Sequence, residues 1–159
     1  IMNQATLKTM FSSEVTTWAT PNDLFDRLDA TYNFTLDPCA TAPTAKCNKY
    51  FTMEDDGLIQ DWGGNTVFMN PPYGRQVSHW VKKAFEESKK LNTKVVCLLP
   101  ARTDTKWWHE YCMKADEIHF IKGRLKFGES INSAPFPSAI IVFADEIKPK
   151  LYTLQSQNI

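Results

Sequence analysis

A stiff polar segment at residues 70–73 is the first stretch whose residue types can do chemistry. Residues 66 to 75 read TVFMNPPYGR, so Asn70, Pro71, Pro72 and Tyr73 directly follow an apolar run. The Asn carboxamide offers an acceptor oxygen, and the prolines fix the backbone and remove its N–H groups. Acceptors aimed in this way match the two hydrogens of an amino group, and the aromatic ring adds a flat surface for stacking. The segment is typical of a clamp for a planar ring that carries –NH₂, and a structural turn is the alternative.

Three segments have the periodicity and the start signals of helices. In ATPNDLFDRLDATY, Thr20 is predicted to cap the helix and Pro21 to occupy its first position, with Leu24, Phe25 and Leu28 buried. QVSHWVKKAFEESKKL is amphipathic, and the residues predicted to face inward are Val77, Trp80, Val81 and Ala84. TDTKWWHEYCMKA is the third helix, with Thr103 as its predicted cap. Because adjacent residues on a helix point in different directions, one of Trp107 and Trp108 is expected in the core and the other exposed and free to contact a partner.

Five apolar runs are predicted strands: FTLDP, TVFMN, KVVCLLP, EIHFIKG and PSAIIVFA. The order of strands and helices predicts an α/β fold with a mostly parallel sheet and right-handed crossovers. The last two strands have no helix between them, so we expect an antiparallel pair at the edge of the sheet. The predicted organisation is a flexible arm at 1–17, one domain at 18–146 and a loose polar tail at 147–159, with a long irregular segment at 39–65.

Three predicted strands end in polar or rigid residues. Asp37-Pro38 follows the first strand, Asn70 to Tyr73 follows the second, and Pro100-Ala101-Arg102 follows the third. Ligands of open parallel sheets bind outside the carboxyl ends of the strands. We therefore expect these three strand ends to form one site, with Arg102 as a functional residue.

The charge balance excludes a uniformly basic nucleic-acid-binding protein. The chain has 159 residues with 18 Lys+Arg and 18 Asp+Glu, and its formal net charge is +0. Any nucleic-acid surface must therefore be a local patch. The candidates are Lys122, Arg124 and Lys126, which alternate with apolar residues, and Arg75 beside the rigid segment. The alternation also fits a strand with one solvated face.

The remaining composition predicts an ordinary cytosolic domain. No run of 18 apolar residues and no apolar signal core are present, so neither a membrane span nor a secretory leader is expected. Cys39, Cys47, Cys97 and Cys112 form no CxxC pair and are expected to be reduced and mostly buried. A zinc site built from Cys39, Cys47 and a His is a weaker alternative, since the spacing matches no common pattern. No metal is expected, and the three histidines are treated as structural.

The sequence resembles a known enzyme family. Asn70-Pro71-Pro72-Tyr73 resembles the [DNS]-P-P-[YFW] motif of amino methyltransferases that use S-adenosylmethionine, and the whole chain resembles the phage-type, Dam-like DNA N-6-adenine methyltransferases. The similarity runs from about Trp18 to Phe143. The stretches that carry it are WATPNDLFDRL, FTLDPCATA, KCNKYFT, EDDGLIQDW, NPPYGR, LLPARTDTKWWH, GRLKFG and SAPFPSAIIVF.

This resemblance implies a Rossmann-like methyltransferase fold with S-adenosylmethionine as cofactor. The positions it assigns to cofactor binding are Trp18, Thr20, Pro21, Asp37, Pro38, Cys39, Ala40, Asp55, Asp61 and Trp62. For the ribose hydroxyls, Glu54 and Asp56 are alternatives to Asp55. Many relatives have a glycine-rich D-P-F-x-G-x-G loop, whereas this chain has Asp37-Pro38 followed by Cys-Ala-Thr-Ala. Small residues still permit a close approach of the backbone.

The activity that the resemblance implies is methylation of adenine N6 in DNA, in a bacterial cell that hosts a phage or prophage. Asn70, Pro71, Pro72 and Tyr73 would be catalytic, and Arg75, Arg102, Lys122, Arg124 and Lys126 would contact DNA. The target adenine would be flipped out of the duplex. Two alternatives remain: methylation of a protein glutamine, whose side-chain amide is also a planar –NH₂ group, and a nucleic-acid-binding relative without catalysis.

Overall fold

The computed structural model describes residues 18–144 and 150–157. The predicted arm at 1–17 lies outside the described residues. Within them, three α-helices accompany a seven-stranded sheet. The helices are α1 (Asn22–Tyr32), α2 (Val77–Glu87) and α3 (Lys106–Glu110). The strands are β1 (Leu36–Asp37), β2 (Lys49–Tyr50), β3 (Thr66–Met69), β4 (Lys94–Pro100), β5 (Glu117–Lys122), β6 (Ser138–Phe143) and β7 (Lys150–Gln155).

The sheet confirms the predicted α/β class, mostly parallel with an antiparallel part. Its order is β2-β1-β3-β4-β6-β5-β7, and β6 runs antiparallel to both of its neighbours. The antiparallel strand lies inside the sheet and not at its edge. All six residues of β6 are buried, and a strand that is apolar on both faces is stable only where both faces and both edges are covered.

The segment predicted as a loose polar tail contains a strand instead. Within 147–159, β7 pairs in parallel with β5 from Glu117↔Lys150 to Lys122↔Gln155. The Tyr152 ring stacks on His119 with centroids 4.6 Å apart, and Leu154 packs on the core. A polar composition does not prevent this pairing, because the backbone of β5 offers a row of hydrogen-bonding groups to any extended segment.

Two separate apolar layers hold the helices against the sheet. α1 buries Leu24, Phe25 and Leu28 on one face, as predicted, together with apolar residues of the segment 125–136. α2 covers the other face through the four predicted residues, Val77, Trp80, Val81 and Ala84. These layers fix the strands from both sides, so their carboxyl ends form a rigid edge.

Two details of the predicted helix starts are wrong. α1 begins at Asn22 with Pro21 as its N-cap residue, and the Thr20 hydroxyl is hydrogen-bonded elsewhere. The cap of α3 is Thr105, whose side chain accepts from the Trp108 N–H, so Thr103 does not cap it. Trp107 and Trp108 are both buried, at 8% and 2% exposure. The side chains of adjacent helical residues point about 100° apart, and the stripe of a helix that faces the core is at least that wide. Both tryptophans therefore fit on the buried face, and neither is free to contact DNA.

Candidate active site

The carboxyl ends of four neighbouring parallel strands lie side by side. From here on, the edge of the sheet means this line of strand ends and not an outermost strand. β1, β2, β3 and β4 are neighbours in parallel register, so the segments that follow them emerge side by side. These segments are Pro38–Ala40, Phe51–Asp55, Asn70–Tyr73 and Ala101–Arg102. The predicted convergence of strand ends is thus present in the structure.

The carboxamide of Asn70 is oriented by the segment that precedes α1. Its Nδ2 donates to the Trp18 carbonyl at 2.7 Å and to the Thr20 hydroxyl at 3.0 Å. A backbone carbonyl can only accept a hydrogen bond, so the –NH₂ end of the amide must face it. The other end, Oδ1, is buried and has no hydrogen-bond partner among the described residues. Buried acceptors without partners are rare in folded proteins and call for an explanation.

The rest of the rigid segment carries an aromatic ring three residues after Asn70. Pro71 is buried, and Pro72 and Tyr73 are half-buried. The Tyr73 hydroxyl donates to the Leu98 carbonyl at 3.3 Å, which ties the ring to β4. Burial raises the pKa of Tyr73, so its phenol stays neutral. Tyr73 is therefore an aromatic surface and not an acid or a base.

Four aromatic rings form what we call the aromatic cluster: Trp18, Tyr73, Phe127 and Phe136. Trp18 lies nearly parallel to Tyr73, with centroids 6.1 Å apart and planes 23° apart. Phe127 meets Trp18 edge-on at 5.3 Å, and Phe136 lies 4.9 Å from Trp18. Phe127 and Phe136 were not among the predicted site residues. The available signal was the pair of prolines that flank Phe136, since they stiffen the chain as Pro71 and Pro72 do.

Asp37 organises the loop that follows β1. It is 5% exposed, and its two carboxylate oxygens accept from the Cys39 and Lys46 backbone N–H groups at 3.2 and 3.0 Å. Burial raises the pKa of Asp37, and the two N–H donors oppose that shift. These two hydrogen bonds thus fix the conformation of the loop from 39 to 46. Burial also raises the pKa of the Cys39 thiol well above its usual range, so this position is a small neutral surface.

Gly57 allows this loop to lie close to the core. A Cβ atom at position 57 would lie 2.2 Å from the Pro38 carbonyl oxygen and 2.9 Å from the Trp80 ring. The Gly57 carbonyl in turn accepts from the Trp62 indole N–H at 2.9 Å. The position of Pro38, Cys39 and Ala40 therefore depends on a residue without a side chain, which the sequence analysis also missed.

Asp55 lies near this edge, but Asp61 and Trp62 do not. Asp55 follows β2, and one of its oxygens accepts from the Thr52 N–H and hydroxyl. Asp61 is exposed and paired with Lys90 at 2.8 Å, beyond the end of α2. Its hydrogen bond to Lys90 lowers the pKa of Asp61. The four residues of β3 separate Asp61 from Asn70 by about 13 Å of strand, so Asp61 belongs to the opposite edge of the sheet.

Trp62 is a core residue. It is 0% exposed and stacks on Trp80 with centroids 6.3 Å apart. Its ring reaches the loop after β1 only indirectly, through the hydrogen bond to Gly57. The structure thus does not bring Asp61 or Trp62 to the residues that surround Asn70.

The predicted basic residues are exposed around the aromatic cluster. Arg75 follows Tyr73, and Arg102 follows β4. Lys122, Arg124 and Lys126 are exposed. Leu125, which lies between Arg124 and Lys126, and Phe127, which follows Lys126, are buried. Residues 124–127 form no strand, yet their alternation directs basic side chains outward and Phe127 into the cluster. The Gly128 N–H donates to the Ala19 carbonyl at 2.7 Å, so this segment is fixed beside Trp18.

The cysteines agree with the predicted reduced state in the described part of the chain. Cys97 and Cys112 are buried, Cys39 and Cys47 are half-buried, and all four are free thiols there. No group of three or more His, Cys, Asp or Glu side chains suited to a metal ion occurs within residues 18–144 and 150–157. Within the same residues, every helix is too short or too polar to cross a membrane.

Comparison with known proteins identifies the family. The sequence model of the family described as "DNA N-6-adenine-methyltransferase (Dam)" matches residues 8–156. The "DNA N-6-adenine-methyltransferase" of Haemophilus phage HP1 is 33% identical over 134 residues, which cover 79% of this chain and 77% of that protein. The protein of the same name from Escherichia phage T1 is 36% identical over 110 residues, or 68% of this chain and 45% of that protein. On these matches, the chain belongs to the DNA N-6-adenine-methyltransferase (Dam) family.

Proposed function

We propose that this protein transfers a methyl group from S-adenosylmethionine to N6 of adenine in DNA. Family membership supports the reaction class and the DNA substrate. The observation that carries the proposal is Asn70 Oδ1, which is buried and has no partner among the described residues, on a carboxamide bonded to the backbone of Trp18 in the aromatic cluster. Such an oxygen is complementary to the N–H of an amino group on a planar base.

Asn70 would act on the amino nitrogen by accepting a hydrogen bond from it. The lone pair of adenine N6 is delocalised into the ring, which makes the nitrogen a poor nucleophile. Acceptance by Asn70 Oδ1, together with the Pro71 carbonyl, favours a pyramidal nitrogen with a localised lone pair. These bonds strengthen as positive charge develops on the nitrogen, so they stabilise the transition state more than the bound substrate. No general base is required before the transfer.

The transfer itself is an in-line displacement. S-adenosylmethionine supplies a methyl group activated by a sulfonium centre. The N6 lone pair would form the new N–C bond as the C–S bond breaks, S-adenosylhomocysteine would be the leaving group, and one proton would pass from N6 to solvent. What this chain contributes is the position of the nitrogen relative to the methyl carbon, which the rigid strand ends fix.

The loop after β1 is the proposed cofactor surface. Pro38, Cys39 and Ala40 are small or rigid and lie beside Asn70 at the same sheet edge. Asp37 shapes this loop through its two backbone hydrogen bonds, and Asp55 on the neighbouring loop would accept from ribose hydroxyls. Trp18, Thr20 and Pro21 close the site from the side of α1. The structure gives no support for a cofactor role of Asp61 or Trp62, which lie elsewhere.

The proposed DNA surface surrounds the aromatic cluster. Its proposed members are all exposed basic residues: Lys122, Arg124, Lys126, Arg75 and Arg102. They would contact phosphates and so position the duplex without reading its sequence. The flipped adenine would gain stacking on the exposed part of the Trp18 and Tyr73 rings, about 1–3 kcal/mol per base.

The test is a product analysis. Purified protein is incubated with radiolabelled S-adenosylmethionine and unmethylated DNA, and the DNA is digested to nucleosides. For the wild type we expect label in N6-methyldeoxyadenosine. In Asn70→Ala we expect this label to be lost, with cofactor binding intact in both proteins. Label in protein glutamine would instead identify the alternative substrate. Absence of both label and cofactor binding would contradict the proposal and leave a binding protein.

A further inference from the structure

The carboxamide of Asn70 has two chemically different ends, and the proposed reaction can use only one of them. With Oδ1 towards the base, the side chain accepts from the target amino group. With the amide reversed, its –NH₂ would meet the –NH₂ of the base, and two donors would face each other. Oδ1 and Nδ2 have nearly the same size, so shape alone does not select between the two orientations.

We infer that the Trp18 carbonyl selects the productive orientation of Asn70 and that the Thr20 hydroxyl holds the carboxamide in it. Thr20 is thus a positioning residue that acts through Asn70, and the inference rests on the proposed function for its catalytic consequence. The supporting contacts are the two bonds from Nδ2, at 2.7 Å to the Trp18 carbonyl and at 3.0 Å to the Thr20 hydroxyl. Reversal would place Oδ1 against the Trp18 carbonyl oxygen at that short distance and would lose that bond, and the Thr20 hydroxyl would then have to donate instead of accept.

The surroundings hold these two acceptors in place. Thr20 is 6% exposed, and its hydroxyl does not cap α1, which Pro21 starts without a side-chain bond. The Trp18 ring packs on Tyr73 and Phe127, and the Ala19 carbonyl accepts from the Gly128 N–H at 2.7 Å. The segment from 18 to 20 is therefore anchored on both sides, independently of Asn70.

The first arm of the test observes the side-chain amide directly, in the protein without DNA or cofactor. The ¹⁵N–¹H signals of the Asn70 carboxamide are assigned by their loss in Asn70→Ala. Thr20→Val keeps the shape of the side chain and removes the hydroxyl, and Thr20→Ser keeps the hydroxyl. We expect Thr20→Val to shift one Nδ2 proton upfield and to accelerate its exchange with solvent, while Thr20→Ser resembles the wild type. Should Thr20→Val fail to fold, Thr20→Ala, which only removes atoms, takes its place.

The second arm measures methyl transfer. Loss of one of two orienting bonds is expected to lower kcat by about tenfold in Thr20→Val, with the KM for DNA nearly unchanged. Thr20→Ser should recover most of kcat. In the Asn70→Ala background, Thr20→Val should add no further loss, because residues that act as a unit are not additive.

The two arms separate a failure of this inference from a failure of the proposed function. Identical Asn70 amide signals in wild type and Thr20→Val would overturn the inference, whatever the activity. A full additional loss in the Asn70→Ala background would overturn it too, since Thr20 would then act by another route. A shifted amide signal in a protein whose wild type forms no N6-methyladenine would support the orientation by Thr20 and contradict the proposed reaction.

Discussion

The substitution Gly57→Ala tests whether the loop after β1 binds the cofactor. Gly57 lies below Pro38, and it has no direct access to the proposed cofactor surface. A methyl group at this position would come within 2.2 Å of the Pro38 carbonyl oxygen, where ordinary van der Waals contact begins at 3.4 Å. The variant therefore displaces the loop through its contact with Gly57. It leaves the side chains that are proposed to touch the cofactor unchanged.

The size of the effect follows from this overlap. To restore contact, the backbone at Pro38 must move by roughly 1 Å, because the Trp80 ring on the other side, at 2.9 Å, also leaves no room. Overpacking of this kind costs about 1–3 kcal/mol of stability. A displacement of about 1 Å at a binding surface can cost up to two orders of magnitude in function. We expect the Kd of S-adenosylmethionine to rise by at least about tenfold, which corresponds to ~1.4 kcal/mol.

The assay is calorimetric titration of the folded protein with S-adenosylmethionine. Gly63→Ala is the matched control, because its Cβ would meet mainly the flexible side chain of Asp61, at 3.0 Å. The control should bind the cofactor as the wild type does. A Gly57→Ala protein that is folded and binds with unchanged affinity would refute the assignment of Pro38, Cys39 and Ala40 to the cofactor surface.

Three further variants probe other parts of the site. Tyr73→Ala should weaken DNA binding by about tenfold or more through lost stacking, whereas Tyr73→Phe should bind DNA normally; an equal loss of cofactor affinity in Tyr73→Ala would contradict this role. Asp61→Asn should leave the methylation rate within about twofold of wild type, since the side chain lies at the opposite edge, and a large loss would return Asp61 to the site. Asp37→Asn should lower Tm by about 4–8 °C. The asparagine offers one acceptor oxygen where the carboxylate offers two, so one buried backbone N–H loses its partner, which costs about 2 kcal/mol of stability. The pKa of Asp37 is raised above its ordinary value of 3.8, so the folded state holds this proton more tightly than the unfolded chain. The stability difference between wild type and Asp37→Asn should therefore widen as pH falls from neutrality to about 4, and a narrowing difference would show that the shift has the opposite sign.

The regular core of the fold was predictable because its signals are local. β4 and β6 are continuous apolar runs, and α2 has a clean helical period, so their bounds follow from the sequence within a few residues. The motif at 70–73 was placed correctly at a strand end for the same reason. The reading of KVVCLLP as a strand covered on both faces is confirmed by burial of Val95 to Pro100.

The order of the strands in the sheet and the formation of β7 by a polar segment were harder to predict from the sequence. The insertion of β6 between β4 and β5 depends on pairing between residues about 40 positions apart, such as Leu98 and Ile140, which no local pattern reports. β7 was missed because its pairing uses backbone groups, and a side-chain pattern does not show whether a neighbouring edge is free.

Within the site, the predicted residues that the structure does not bring near Asn70 are those proposed without regard to their place in the sheet. Asp61 was assigned to the cofactor by resemblance, yet it precedes β3, and residues before a parallel strand lie at the amino edge. That signal was present in the sequence. The hydrogen bonds from Asn70 to Trp18 and Thr20 span about 50 positions and were not predictable, although all three residues were proposed for the site.

The most direct test of the account is a structure of the protein with S-adenosylhomocysteine and a DNA duplex that contains its target adenine. We expect a flipped adenine whose N6 lies about 2.7–3.2 Å from Asn70 Oδ1, with Asn70 Nδ2 still bonded to Trp18 and Thr20. An adenine that directs N6 away from Asn70, or an Asn70 amide turned so that Nδ2 faces the base, would contradict the central claim.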